Sequence, residues 1–421
     1  MLDIDLIRRT PDAVLQALRN RGDESALTPV LELDSRRRAR VHEGDELRAQ
    51  RNQASQQIAR GGDKAPAIRQ ELRRFSDRIK AIEEEVKGLD EQLAALLLTI
   101  PNIPRDDVPV GPDASGNTTV RAWGKPKEFP FEPKAHWDLN ERLGIIDFQR
   151  GVKLSGTRFY VLKGVGARLQ RALITYMLDL HTQKHGYTEI YPPALVRQEI
   201  MQGSGNLPKF KDNLYFDTED DLWLVPSAEV PLTGLHADEI LEPGPLPLYY
   251  VAYTPCFRRE KTAAGRDTRG IKRVHQFDKV ELYKLTEPER SDEELEKLVA
   301  DAEDVLKGLG LSYRVIQLCT GDMGFQSAKT YDLEAWAPGS QEWLEVSSCS
   351  NCTDFQARRS NIRFRREPRG RSEYVHTLNG SGLAIPRVMI AILETYQQAD
   401  GSVMVPEALR PYVGTDRIQA R

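Results

Sequence analysis

The chain has 421 residues and a formal net charge of −4; 40% of its residues are hydrophobic and 29% charged. This is the composition of a globular protein long enough for two or three domains. No run of about eighteen apolar residues occurs, so no membrane-spanning helix is expected.

The N-terminal "MLDIDLIRRTPDAV" is polar and has no apolar signal core. Four cysteines suit a reducing compartment, so a cytoplasmic location is expected. The first predicted elements with clear periodicity are two long helices. Val30, Leu33, Val41, Leu47, Ala54 and Ile58 form a patchy seam on which Arg37, Gly44 and Arg51 also fall. The turn "RGGDKAP" follows, with Gly61 and Gly62 as breakers and Pro66 suited to a helix start. Ile68, Leu72, Phe75, Ile79, Ile82, Val86, Leu89, Leu93 and Leu96 then recur at alternating spacings of four and three, an unbroken heptad seam. Two helices of about 33 residues each predict an antiparallel hairpin roughly 50 Å long.

Charge is spread unevenly over this hairpin. Residues 36–80 hold thirteen Lys/Arg against six Asp/Glu, whereas residues 81–100 hold one Lys against five acids. Arg48, Arg51, Arg60, Lys64, Arg69, Arg73, Arg74 and Arg78 gather around the turn. A dimerisation coiled coil explains the periodicity but needs no basic tip on an acidic root. A rigid arm that meets the phosphates of a folded RNA explains both. Both readings stand at this point.

"IPNIPRDDVPVGPDASGNTTVRAWGKPKEFPFEP" is dense in Pro and Gly and has no helical period, so a linker is expected over residues 101–121. The pattern then changes to mixed strands and helices, which predicts a large α+β domain over residues 122–421 after an N-terminal domain of residues 1–100, with the arm at about 27–100.

Within that domain, "CFRREKTAAGRDTRGIKRVHQFDKVELY" (256–283) reads as two strands separated by about ten basic and small residues. A short hairpin needs only two to five. By strand alternation Arg258 and Glu260 share a face with Cys256. On the second strand Arg273, His275, Phe277, Lys279 and Glu281 share a face, with Val274, Val280 and Leu282 opposite. Such a face offers a guanidinium for a phosphate, a ring for a base, and a carboxylate for an ammonium or hydroxyl. An ordinary solvated face with cross-strand ion pairs is the alternative.

Familiar catalytic patterns are missing. "GRDTRGIK" has Ile271 where a P-loop needs lysine, and no HExxH or GxSxG occurs. Cys349 and Cys352 form a single CxxC without a second ligand pair, so they read as structural thiols and no zinc is expected. Asp332, Glu334, Arg358 and Arg359 read as scaffold.

From end to end these segments resemble the class II aminoacyl-tRNA synthetases, and within them the bacterial-type seryl-tRNA synthetase family. "FRRE", the basic loop and "RVHQFDKVELY" resemble motif 2. "HGYTEIYPP", after the helix around "ARLQRALITYMLDLHTQK", is similar to motif 1, with a proline near Pro192 and Pro193 at a dimer interface. "NGSGLAIPRVMIAILE" resembles motif 3, and "EVSSCSNCTDFQARR" and "VPSAEV" are similar to further family signatures. The resemblance implies an α+β fold with a six- or seven-stranded antiparallel sheet flanked by helices, in a homodimer. It also implies an N-terminal antiparallel coiled-coil arm that grips the long variable arm of serine tRNA. The implied reaction is ATP-dependent activation of L-serine to seryl-adenylate, then transfer to the 3′ end of serine tRNA; selenocysteine tRNA is left open as a second acceptor.

Residue by residue, the resemblance implies catalytic roles for Arg258, Glu260 and Arg387. ATP would meet Arg258, Arg259, Glu260, the Val274 backbone, Phe277, the stretch Glu345, Val346, Ser347 and Ser348, and Arg387. Serine would meet Ser227, Ala228, Glu229, Arg258, Glu281, Asn379 and Ser381. Mg²⁺ arriving with ATP would sit on Glu345 and Ser348, and the basic arm residues would contact tRNA. One departure stands out: relatives have Thr-Ala-Glu where this chain has "SAE", so Ser227 keeps a hydroxyl and lacks a methyl. Two alternatives remain: a paralog that loads another carrier, and a non-catalytic tRNA-binding scaffold.

Overall fold

A computed structural model describes residues 1–23, 27–59, 65–261 and 269–420. The chain divides into two compact units, one comprising Leu2–Arg19 and Asp23–Pro101 and the other Asn102–Arg421 with Met1 and Asn20–Gly22.

The first unit contains helices α1 (Ile4–Arg9), α2 (Pro11–Asn20), α3 (Thr28–Ala59) and α4 (Ala65–Leu97). Helix α1 starts at Asp3, whose side chain accepts from the Asp5 N–H. Helices α3 and α4 run antiparallel: Arg48 reaches Glu83 at 2.9 Å, Arg78 reaches Glu43 at 2.6 Å, and Arg37 pairs with Asp90. The α4 seam follows the heptads, with Ile79, Ile82, Leu89 and Leu93 buried. The α3 seam is only partly apolar. Val30 and Ala54 are buried, but Val41 is 36% exposed and Asp34 is 1% exposed. Arg8 at 2.9 Å and Arg38 at 3.0 Å compensate that carboxylate, which is what a buried acid requires. Gly44 faces α4, where a Cβ would lie 3.4 Å from Cγ2 of Ile82, an ordinary contact that does not require glycine. The Ile58 side chain lies outside the described residues.

The second unit is built on an eight-stranded sheet. In chain order its strands are β1 (Thr118–Trp123), β2 (Thr188–Ile190), β3 (Leu248–Phe257), β4 (Gln276–Thr286), β5 (Tyr313–Gln317), β6 (Lys329–Ala337), β7 (Glu342–Asn351) and β8 (His376–Ala384). The spatial order is β1-β5-β6-β7-β8-β4-β3-β2. All neighbours are antiparallel except β2 and β3, which are parallel. The sheet therefore exceeds the expected six or seven strands. Thr118–Arg121 belong to an edge strand rather than to the expected linker, pairing with β5 through Thr118↔Gln317 and Arg121↔Val315.

Helices α5 (Val165–Gln183), α6 (Ser291–Gly308) and α7 (Ile385–Thr395) cover one face of the sheet. Val280 and Leu282 of β4, Val346 and Cys349 of β7, and Leu383 of β8 join them in the main core. Tyr283 and Leu285 point the other way, into a smaller apolar cluster. Glu281 and Lys279 share that second face by the period of two. No helix among the described residues is long and apolar enough to cross a membrane.

Candidate active site

On the face opposite the main core lies a cleft of about 280 Å³. Strands β3 and β4 form one wall, with Cys256↔Phe277 and Ala252↔Glu281 in register, so Phe277, Lys279 and Glu281 line it as alternation requires. Alternation does not explain Arg258 and Glu260, because β3 ends at Phe257. The Arg258 N–H donates to the His275 carbonyl at 2.9 Å. Glu260 then adopts the left-handed region at φ 49°, and its carboxylate accepts from Nη1 of Arg273 at 3.3 Å. Both residues reach the cleft through this turn.

On the returning side, residues 273–275 precede β4, so the expected face breaks down: Arg273 and Val274 both line the cleft and His275 does not. The His275 Nδ1 instead meets the Arg258 carbonyl at 3.0 Å. Arg259 also departs from expectation. Its Nε donates to the Leu214 carbonyl at 2.8 Å and its guanidinium lies 4.4 Å from the Tyr215 ring centre, away from the cleft.

The basic connection returns at a fixed point. Gly270 has φ +67°, and a Cβ there would fall 1.8 Å from Nε2 of His136, so glycine is required. The Ile271 N–H donates to that Nε2 at 3.2 Å, which puts the ring proton on Nδ1, 3.1 Å from the Glu394 carboxylate. Residues 262–268 of the connection lie outside the described residues.

Strand β7 supplies a second wall through a defect in its pairing. Glu345 and Ser348 are three residues apart and would face opposite ways on a regular strand. The register slips between Leu333↔Ser347 and Glu334↔Glu345, leaving Val346 as the extra residue of a bulge. Glu345 and Ser348 consequently both line the cleft. Ser347 does not; its hydroxyl donates to the Ser381 carbonyl at 2.6 Å on the buried side. Arg387, in the first turn of α7, donates from Nη1 to the Glu345 carbonyl at 2.6 Å and lies 3.2 Å from its carboxylate. The Arg258 guanidinium rests 5.2 Å from the Phe277 ring centre, with Nε donating to the Pro226 carbonyl at 3.2 Å.

Behind these walls sit two buried carboxylates. Glu281, 1% exposed, accepts from the Ser227 hydroxyl at 2.8 Å and pairs with the Lys279 ammonium on the same Oε2. Glu229 accepts on Oε1 from the amides of Gln356 at 2.7 Å, Asn379 at 3.0 Å and Gln326 at 3.3 Å. Burial, and after it the charge of Glu281, pushes Glu229 up to about 7. Ser381 lines the same space, whereas Ala228 is buried in the smaller apolar cluster.

Sequence reasoning missed Lys279, Gln326 and Gln356 as site residues. Lys279 carried a signal, its position on the polar face of β4. The two glutamines carried none. Gln356 is nevertheless fully engaged: it also donates to the Ser204 carbonyl at 2.9 Å and accepts from Thr377 at 2.7 Å and Tyr283 at 3.2 Å.

In the helical unit, Arg48 and Arg78 are held by acids, Arg48 also by Asp45 at 2.8 Å. Arg51 is half-buried. Arg69, Arg73 and Arg74 are exposed and have no carboxylate within ion-pair distance among the described residues. Arg60 and Lys64 lie outside the described residues.

The N-terminal residues 1–104 match the seryl-tRNA synthetase N-terminal domain, and residues 210–396 match the tRNA synthetase class II core domain (G, H, P, S and T). A serine–tRNA ligase of Thermomicrobium roseum is 61% identical over 416 residues, covering 98% of this chain and 94% of that one. The chain belongs to the seryl-tRNA synthetase family. Among solved members of the seryl-tRNA synthetase family, the Pyrococcus horikoshii enzyme complexed with ATP superposes with a TM-score of 0.95 at 41% identity, covering all of both chains. The cytoplasmic serine–tRNA ligase of Naegleria fowleri in complex with AMP gives 0.89 at 32%, covering 100% of this chain and 99% of that one.

Proposed function

We propose that the chain activates L-serine with ATP and transfers the seryl group to the 3′ end of serine tRNA. The observation that carries this reading is one cleft joining Arg258 and the Phe277 ring to the buried acids Glu229 and Glu281. An amino acid there can set its carboxylate on Arg258, its ammonium and hydroxyl on the two acids, and leave the ring side for a nucleotide. The ATP and AMP complexes of the two relatives support that use of the ring side.

In the first step the serine carboxylate attacks the α-phosphorus of ATP, forming a carboxyl–phosphate bond as pyrophosphate leaves. In the second, the 3′-hydroxyl of the tRNA attacks the acyl carbon as the acyl–phosphate bond breaks, its proton passing to the phosphate of the departing AMP. A carboxylate needs no general base, so rate comes from positioning and from charge stabilisation by Arg258 and Arg387. Glu260 meets the adenine amine and the Val274 backbone its ring edge. Glu345 and Ser348, hard oxygens on one wall of the cleft, fit Mg²⁺. Asp332, opposite Ser348, adds a buried carboxyl whose Oδ1 lacks a hydrogen-bond partner. Mg²⁺ supplies charge neutralisation on the phosphates.

A buried acceptor rejects alanine, which would leave it unpaired. The exposed arginines of α4 contact the long variable arm of serine tRNA. Residues 1–100 form the tRNA-binding domain and residues 118–421 the catalytic domain, in a cytoplasmic homodimer. The test is charging of unfractionated tRNA by the intact chain with serine, threonine and alanine. Serine-only charging is expected. Serine-dependent pyrophosphate exchange without charging would mean a different acceptor and overturn the transfer step.

A further inference from the structure

The two buried acids of the cleft have chemically different neighbours. Glu281 takes the Lys279 ammonium and the Ser227 hydroxyl on one oxygen, and Lys279 is itself only 7% exposed. Glu229 takes three neutral amide donors and has no Lys, Arg or His within ion-pair distance among the described residues. Amide donors orient a carboxylate without cancelling its charge, whereas an ammonium cancels it. The upward displacement of Glu229 to about 7 agrees with a carboxylate that burial and Glu281 disfavour more than Lys279 relieves.

We infer that Lys279 is a specificity-determining residue of the amino-acid site: by neutralising Glu281 it reserves that acid for a neutral hydroxyl and leaves Glu229 to take the substrate ammonium. The inference rests on the serine-activation reading above. With Glu229 ionised, two carboxylates and one ammonium leave a single negative charge around the amino-acid site. The one ammonium of serine matches it, while the serine carboxylate goes to Arg258. A substrate with a second ammonium in place of the hydroxyl would set that cation against Lys279 on the same carboxylate. Repulsion of this kind discriminates where shape cannot, because an amine and a hydroxyl are nearly isosteric.

The probe is L-2,3-diaminopropionate, serine with an amine in place of the hydroxyl. Pyrophosphate exchange with the full chain at neutral pH compares it with serine. The wild type should use serine and neither use diaminopropionate nor be inhibited by it better than by alanine. Lys279→Met, uncharged and of similar length, should shift the kcat/KM ratio toward diaminopropionate by about tenfold or more. Lys279→Arg should hold the wild-type ratio. Equal losses with both substrates in Lys279→Met would make Lys279 merely structural and overturn the inference, as would a wild type that accepts diaminopropionate readily. Thermal unfolding with and without ATP checks that each variant folds. If Lys279→Met does not, Lys279→Gln and the wild-type inhibition carry the test. Absence of serine-dependent exchange in the wild type would instead sink the activation reading, whatever the variants do.

Discussion

Replacing Glu229 by Gln removes an ionisable group from a buried position and keeps an Oε1 that can accept from Gln356, Asn379 and Gln326 at 2.7, 3.0 and 3.3 Å. The energetic consequence follows from protonation. Burial first, and Glu281 second, raise this carboxyl from 4.5 to about 7 in the fold. The folded state therefore holds the proton to higher pH than the unfolded chain does. Between those values the unfolded state binds fewer protons, so stability is lost as pH rises from about 4.5 to about 7. At about 1.4 kcal/mol for each pH unit, the ionised acid costs roughly 3 kcal/mol once pH exceeds 7. Gln stays neutral throughout. Its advantage over the wild type should be small at about pH 5 and approach roughly 3 kcal/mol at about pH 8.

Urea unfolding followed by tryptophan fluorescence reads this directly. Trp123, Trp137, Trp223, Trp336 and Trp343 all lie in the sheet unit, so the signal is free of the helical arm. Midpoints should move while the slope stays constant. The same variant should lose serine-dependent pyrophosphate exchange by about 100-fold or more, since the carboxylate that receives the ammonium is gone. In the wild type the KM for serine should rise as pH falls below about 7, because a protonated Glu229 offers the ammonium no charge. A stability gain that is absent at about pH 8, or equal at both pH values, would refute the reasoning.

Arg258→Ala should lower serine-dependent exchange by about 10²–10³-fold or more; near-normal exchange would remove the central anion-binding assignment. Deleting residues 27–100 should leave serine activation largely intact while stopping tRNA charging, and equal loss of both would make the arm chiefly structural. Charging should weaken steeply with salt, and changing Arg69, Arg73 and Arg74 to Gln should flatten the log–log slope by about one for each phosphate that is no longer neutralised. An unchanged slope would count against tRNA binding by these three arginines.

The parts of the structure legible in the sequence are those governed by an unbroken period. Helix α4 keeps its heptads, so its buried positions follow; α3 does not, because Asp34 occupies a seam position that Arg8 and Arg38 neutralise. On β4 the period of two correctly puts Phe277, Lys279 and Glu281 together. The same period fails at residues 258–260 and 273–275, where the chain is no longer strand and Glu260 turns left-handed. The β7 bulge at Val346 is invisible to pattern reading, so Glu345 and Ser348 came from resemblance alone. Edge strand β1 escaped because five of its six residues are exposed and it follows a Pro/Gly-rich run. Gln356 escaped because a buried amide leaves no periodic trace, and Gln326 because it lies half-buried in the connection between β5 and β6, where no period runs.

The distribution of ion pairs bears on how such a site can catalyse without a base. Lys272 pairs with Glu342, Arg273 with Glu260, Lys279 with Glu281 and Arg387 with Glu345. Each of these cations is already oriented by a carboxylate, so less rotamer freedom is lost when a substrate arrives. Arg258 differs. Its guanidinium is held by the Pro226 carbonyl and the Phe277 ring and has no carboxylate partner among the described residues. A cation oriented by neutral groups keeps its full charge for an incoming anion, whereas one paired with an internal carboxylate is already partly neutralised. That asymmetry supports giving Arg258 the serine carboxylate and α-phosphate. Phosphates that drew the Arg387 guanidinium away from Glu345 would free that carboxylate, which would then be available to hold Mg²⁺ and supply charge neutralisation beside the nucleotide.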